Sequence, residues 1–166
     1  ALSTQLIATV YRHGNESQQE FSIGIPKHPV QEVGTSSYRG TKIHFKPDGS
    51  IFTTTEYNYE TLAARMRELA YLNRGISITI SDERNKDEQG NAFSENFFSE
   101  GGLREFVQFL DKTRQPLIPE VIYMEGAKDN VVVEVAFQYN DSYNENIHSY
   151  VNNINTHEGG THLAGF

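Results

Sequence analysis

Cysteine and tryptophan are both absent from the 166 residues. Without thiols there is no disulfide framework, no thiolate metal site and no cysteine nucleophile, a pattern that fits a reducing compartment. Long apolar runs are missing as well. None approaches the roughly 18 residues of a membrane-spanning helix, and no secretory signal opens the chain. Positive charge is scarce: 14 Lys and Arg against 22 Asp and Glu leave a formal net charge of −8. That balance argues against a main DNA-binding surface, because neutralising phosphates requires clustered bases. Phosphate-cradling loops are absent too, since neither G-x-x-x-x-G-K nor G-x-G-x-x-G occurs and the pairs Gly101-Gly102 and Gly159-Gly160 stand alone. No G-x-S-x-G nucleophile elbow is found. An initiator methionine is also lacking. The chain opens on Ala1-Leu2-Ser3 with strand-like alternation starting almost at once, and it ends on Leu163-Ala164-Gly165-Phe166 without a polar tail. Natural termini tend to be polar and frayed, so the expectation is a piece cut at both sides.

What remains is enough for one domain or two small ones, and a chain of about 150 residues buries roughly 70% of its unfolded surface without a staple. Leu6, Ala8 and Val10 alternate with more polar neighbours, as do Phe21, Ile23 and Ile25. His13-Gly14-Asn15-Glu16 lies between them as a turn signal, so residues 3–25 read as a β-hairpin closed by Pro26 and Pro29. Thr41, Ile43 and Phe45 form a third alternating run, ended by Pro47-Asp48-Gly49. Tyr59, Leu62, Ala63, Met66, Leu69 and Leu72 recur at helical spacing, with Asn58 placed as N-cap and Gly75 as the stop. Ile76, Ile78 and Ile80 predict a strand, residues 82–92 an exposed turn, Phe93–Phe98 another strand, and Leu103, Phe106, Val107 and Leu110 a second helix. Lys112–Pro119, with two prolines, is the best boundary. Val131, Val133, Val135, Phe137 and Tyr139 then alternate, Asn140-Asp141-Ser142 turns, and Ile147, Ser149 and Val151 suggest the return strand. This order of elements is α+β.

Few residues suggest chemistry. His157 and His162 bracket Glu158, but their spacing matches no zinc signature, and polar turn residues are the commoner reading. Asp82-Glu83 and Asp87-Glu88 lack the apolar shell that would lift a carboxyl pKa toward neutrality. His13, His28, His44 and His148 are dispersed. Thr41 shares strand parity with Ile43 and Phe45, so its hydroxyl should point the way they do, toward the interior, and there it needs a hydrogen-bond partner.

Several stretches, in order, resemble the ATPase subunit of bacterial type IIA DNA topoisomerases, the group formed by the B subunit of gyrase and its topoisomerase IV counterpart. The start resembles the segment after the family's glycine-rich ATP lid. Arg39-Gly40-Thr41-Lys42-Ile43-His44-Phe45-Lys46-Pro47 resembles the family's G-T-x-(V/I)-x-F-x-P strand. Leu62 to Gly75 resembles its following helix, and Glu100-Gly101-Gly102-Leu103 the helix start that leads out of the ATPase domain. Val133 to Asp141 and Asn152 to His162 resemble the first part of the transducer.

The resemblance implies an α+β fold made of the C-terminal half of a GHKL-type ATPase sandwich, at about residues 1–112. The start of a ribosomal protein S5 domain 2-like transducer follows, at about 118–166. It implies ATP and Mg2+ as cofactors and a cytoplasmic parent with no membrane association. That parent would dimerise on ATP binding, join a topoisomerase A subunit and act on DNA. Under it the catalytic Glu, the Mg-binding Asn, the adenine-reading Asp and the glycine lid lie before Ala1, and the γ-phosphate Lys lies beyond Phe166. No catalytic residue and no metal ligand is therefore expected within the chain. Thr41 then corresponds to the position that helps fix the adenine-reading carboxylate and a water, Ile43 to an apolar wall of the pocket, and Arg12 to the pocket mouth where coumarins bind. Gyrase and topoisomerase IV are not distinguished. A non-enzymatic interaction domain descended from this subunit, or another ATPase of the same fold, are the alternatives. The first sheet should expose apolar surface unless another chain or segment covers it.

Overall fold

The computed structural model describes all residues from Ala1 to Phe166. The chain divides into two compact units, Ala1–Tyr57 and Asn58–Phe166, each described by itself.

The first unit is an antiparallel sheet of β1 (Ser3–Arg12), β2 (Asn15–Ser22), β3 (Ile25–Pro26), β4 (Gln31–Thr35) and β5 (Gly40–Pro47). Strand order is β3-β2-β1-β5, with β4 also paired to β2. The β1–β2 hairpin closes through His13 and Gly14 at φ 55° and 86°, two consecutive left-handed residues whose twist matches that of the flanking strands. The next hairpin closes the same way through Ile23 and Gly24, at φ 51° and 82°. Glycine adopts that conformation freely, whereas a β-branched isoleucine is strained there. A hairpin is present where residues 3–25 predicted one, but its second strand ends at Ser22: Ile23 lies in the next turn and Ile25 begins β3. The short strands β3 and β4 are additional: their few residues and flanking prolines carry no alternation to signal them.

In the second unit, helix α1 (Tyr59–Leu72) begins where the Asn58 Oδ1 accepts the Thr61 N–H at 2.8 Å, satisfying one of the free amides of the first turn. It ends at Asn73, whose backbone N–H and Nδ2 both donate to the Leu69 carbonyl. Ala63 and Ala70, 1% and 2% exposed, lie two turns apart on one face. Their small side chains allow close approach of the hairpin of β6 (Ile78–Lys86) and β7 (Ala92–Phe97). Phe97 completes this core, with Tyr59, Met66, Ile78 and Ile80 packed around it. The Arg67 guanidinium lies over the rings of Phe97 (4.9 Å) and Phe109 (5.5 Å).

Helix α2 (Leu103–Leu110) presents a buried Phe106 that stacks on Tyr71 at 5.2 Å. The antiparallel pair β8 (Ile122–Lys128) and β9 (Val131–Phe137) follows. Arg74 reaches Glu125 and Glu134 on these strands, at 3.7 Å each. The strands β10 (Tyr150–Val151) and β11 (Ile154–Asn155) form a small hairpin, and a short helix α3 (Thr161–Gly165) ends the chain.

Three expectations need correction. Strand β6 runs on through Lys86 into the stretch expected as a turn, leaving only Asp87–Asn91 as the connection. There the Asp87 carboxylate accepts the N–H groups of Gln89 and Asn91 and organises the bend. The partner of β9 is β8, which precedes it, and not a return strand around 147–151. A two-residue turn at Asp129 and Asn130, both left-handed, fixes that pairing. The polar and small residues Glu125, Gly126 and Lys128 hide β8 from a search for alternation. Finally, the segment ending at Val151 pairs forward to β11 through a further left-handed pair, Asn152 and Asn153.

Two outcomes follow. Replacing Ile23 by Asn, which tolerates the left-handed region, should raise unfolding stability by about 1 kcal/mol in urea titrations. The Tyr150 hydroxyl is buried without a hydrogen-bond partner. Its pKa is pushed up to about 12, chiefly by burial and next by the Glu68 charge. The folded pKa lies above the unfolded value near 10, so this contribution is present below about pH 10 and is lost as pH rises toward 12. Tyr150→Phe should leave stability at pH 7 unchanged or raised, and should flatten that alkaline decline in chemical denaturation followed from pH 8 to 12.

Candidate functional site

The register of β1 with its two neighbours decides which side chains share a face. Leu6 pairs with Phe45, Ala8 with Ile43 and Val10 with Thr41 across β5. Along the same strand, Arg12 follows Val10 at the two-residue period and pairs with Asn15 on β2. Arg12, Thr41 and Ile43 therefore occupy one face of the sheet, together with Val10 and Phe45.

This face is open. Ile43 is 54% exposed, and Val10, Thr41 and Phe45 are exposed as well. The Thr41 hydroxyl makes no hydrogen bond, and the Arg12 guanidinium makes neither a hydrogen bond nor an ion pair. The parity expected of Thr41 is present, but the residue is exposed, so its hydroxyl faces solvent and not an interior; on the same face Tyr57 packs edge-on against Phe45 at 6.4 Å.

The opposite face is closed by polar contacts. Thr9, 4% exposed, accepts from Gln18 Nε2 at 3.1 Å. Gln5 Nε2 donates to Glu20 at 2.8 Å, and Lys27 pairs with the same carboxylate at 2.5 Å. These contacts, Lys27 first, hold the Glu20 carboxyl below its usual range. Tyr11 packs edge-on against Tyr38 at 5.2 Å. Burial first, then the nearby Glu16, pushes the Tyr11 phenol up. The sheet thus has one finished surface and one unfinished one.

The chain leaving β5 is pinned by Asp48. Its backbone N–H donates to the Leu2 carbonyl at 3.2 Å, and its own carbonyl accepts from Ile51 and Phe52. Its Oδ1 accepts both the N–H and the hydroxyl of Ser50, at 2.8 and 2.7 Å. Those Ser50 hydrogen bonds hold the Asp48 carboxyl below the usual carboxylate value.

Chemically, an open apolar strip with a free hydroxyl and a free guanidinium can receive a flat, partly apolar ligand. It offers no carboxylate base. No group of three or more His, Asp or Glu gathers anywhere in the chain. The Gly101-Gly102 pair is occupied by its own helix: Gly101 N–H donates to Glu105 Oε1 (2.9 Å) and Gly102 N–H to Ser99 Oγ (2.9 Å), while the Ser99 hydroxyl donates to Glu105 Oε2 (2.5 Å). Those amides are spent on the protein and cannot serve a phosphate. His162 Nε2 lies 3.4 Å from Thr156 Oγ1. Sequence reasoning missed the contacts that join Arg65 and Asn73 to Asn153. The adjacent asparagines at 152 and 153, a left-handed turn signal, were the available clue.

Comparison with known proteins gives these features a context. A sequence profile of the family described as DNA gyrase B matches residues 102–166. The DNA gyrase B subunit of Eisenibacter elegans is 58% identical over the whole chain, and that of Chitinophaga japonensis 60% identical over 170 aligned positions. In both cases the chain spans 35% of the relative's length. The crystal structure of the 43K ATPase domain of Thermus thermophilus gyrase B, in complex with an aminocoumarin, superposes with a TM-score of 0.83 at 32% identity. That match covers 98% of this chain and 43% of the other. The fold is thus the α+β arrangement of a GHKL-type ATPase domain and the transducer portion beside it. Along its whole length the chain is similar to the B subunit of DNA gyrase, and it spans about a third of the length of those relatives.

Because the folded Asp48 pKa is depressed, its contribution to stability is present above the unfolded value near 4 and is lost as pH falls through the folded one. Ser50→Ala should bring the Asp48 pKa up toward the ordinary carboxylate value in an NMR titration, and move the onset of acid unfolding of the sheet to higher pH.

Proposed function

We propose that this chain is part of the ATP-hydrolysing subunit of a DNA gyrase, and that the open face carrying Arg12, Thr41 and Ile43 forms one side of its nucleotide pocket. The observation that carries the reading is the convergence of those three side chains on one uncovered face. The same chain aligns along nearly its full length with an ATPase domain crystallised with an aminocoumarin. In this reading Thr41 fixes the adenine-reading carboxylate and a water, Ile43 forms an apolar wall, and Arg12 stands at the mouth where a coumarin binds. The catalytic Glu, the Mg2+ ligands and the phosphate lid belong to other parts of the subunit.

The whole subunit would bind ATP with Mg2+ in the cytoplasm, dimerise on binding and act with a gyrase A subunit. Nucleotide state would thereby be coupled to passage of one DNA segment through another. With a net charge of −8, this stretch would leave the main DNA contacts to other surfaces. The division into an ATPase part at 1–112 and a transducer part at 118–166 is supported by the profile match beginning at residue 102 and by the proline-rich stretch between. The chain alone lacks the hydrolytic groups and is inactive in this reading.

The test uses the longer subunit containing this chain. Thr41→Val should weaken equilibrium binding of a non-hydrolysable ATP analogue about tenfold or more, the loss expected when a buried polar partner is left unpaired. Arg12→Ala should weaken aminocoumarin binding about tenfold and change nucleotide affinity less than about threefold. The pure 166-residue chain should show no Mg-dependent ATP turnover. Unchanged binding in both variants would remove this face from the pocket, and turnover by the isolated chain would contradict the assignment of the catalytic groups elsewhere.

A further inference from the structure

The small hairpin of β10 and β11 is tied to helix α1 by polar contacts from opposite parts of the sequence. Arg65 Nη2 donates to the Asn153 carbonyl at 2.6 Å, and Asn153 Nδ2 donates to Asn73 Oδ1 at 2.8 Å. Arg65 also pairs with Glu68 one turn further along the helix. Asn73, in turn, is held by its own bond to the Leu69 carbonyl at 2.7 Å. The two anchor points on α1 are eight residues apart, about 12 Å along a helix axis. Both bonds converge on Asn153, so the hairpin tip is held at one residue between two anchors on the helix.

The remaining contacts of the hairpin are comparatively loose. Phe106 of α2 approaches Tyr150 and the neighbouring His148 at ring distances of 6.4 and 6.1 Å, neither stacked. A cleft of about 190 Å³ remains between α1, α2 and the hairpin, lined by Arg67, Glu68, Phe106, Phe109, His148 and Tyr150. The Tyr150 hydroxyl is buried beside it without a partner, a cost that undocking would relieve by hydration. Val151 and Ile154 are both exposed, so the hairpin brings little apolar area to its seat. One charge-assisted bond from Arg65 and one neutral amide bond to Asn73 therefore hold the hairpin tip, where apolar burial contributes little.

We propose that Arg65, Asn73 and Asn153 form a releasable clamp that sets the placement of the β10–β11 hairpin on helix α1. Arg65 is a positioning residue in it. The functional side rests on the reading above, in which α1 belongs to the ATPase part and the hairpin to the transducer. The clamp is then a contact through which a change in one part reaches the other. Its bonds are few and polar, and opening it uncovers only the contact of Tyr150 with Phe106.

Hydrogen exchange on the 166-residue chain tests the clamp without reference to any activity. Arg65→Ala should speed exchange of the amides of residues 150–156 about tenfold or more, while those of α1 change less than about threefold. Asn153→Gly keeps the left-handed turn and removes only the side-chain bond, so it should act in the same direction. Asn152→Gly, which alters the same turn without touching the clamp, should not. Arg65→Lys, which keeps the charge beside Glu68 but loses the forked geometry, should fall between wild type and Arg65→Ala and guards against misfolding of the alanine variant. Unchanged hairpin exchange in both Arg65→Ala and Asn153→Gly, or equal acceleration in α1, would overturn the clamp. In the longer subunit, Arg65→Ala should retain ATP turnover within about twofold of wild type while supercoiling per ATP consumed falls about tenfold or more. Full supercoiling efficiency there would overturn the coupling role. An unmodified subunit without ATP turnover would instead count against the proposed function, with the exchange result standing by itself.

Discussion

Strand β1 is hydrogen-bonded along both of its edges, to β2 on one side and to β5 on the other, and the first unit depends on that double pairing. A slip of one residue in the β1–β5 ladder would turn the whole set of β5 side chains to the other face relative to β1. Arg12, Thr41 and Ile43 would then no longer share a surface. The left-handed pair at His13 and Gly14 locks one ladder by leaving only a two-residue connection. Asp48 locks the other at its far end, where the chain turns away over the Leu2 carbonyl. The placement of the three candidate residues is thus a consequence of turn chemistry at the two ends of the hairpin system, and no contact among the three is needed to explain it.

The second unit is organised around small residues where the first is organised around register. Ala63 and Ala70 let the β6–β7 hairpin lie close to α1. The arginines on that helix then reach outward: Arg67 to aromatic faces, Arg65 to the hairpin tip and, just past the helix end, Arg74 to acidic residues on β8 and β9. A helix rich in arginine is usually taken as a solvated element. Here its cations connect segments that are distant in sequence, which makes α1 the hub of the unit.

The sequence was most legible where a period persisted. The two longer helices, the first hairpin and β5 were all visible from spacing, and the N-cap at Asn58 was readable because an asparagine precedes the first apolar repeat. Strands β3, β4, β10 and β11 were not, since two to five residues carry no period. Strand β8 was lost because its pairing is specified by the Asp129–Asn130 turn and not by its own pattern. The parity of Thr41 and Ile43 was legible for the same reason that helices are, whereas their exposure was not: alternation reports which residues share a side, never what lies opposite. The clamp residues were invisible because they meet across 80 and 88 positions.

The open face of the first sheet has a colloidal consequence. At neutral pH the surplus of acidic groups keeps separate molecules apart, so the exposed Val10, Ile43 and Phe45 do not readily meet their counterparts. Near the isoelectric point of about 5.2 that mutual repulsion disappears while the apolar strip stays uncovered. A solution of this chain therefore passes from dispersed to self-associating as the pH falls toward that point.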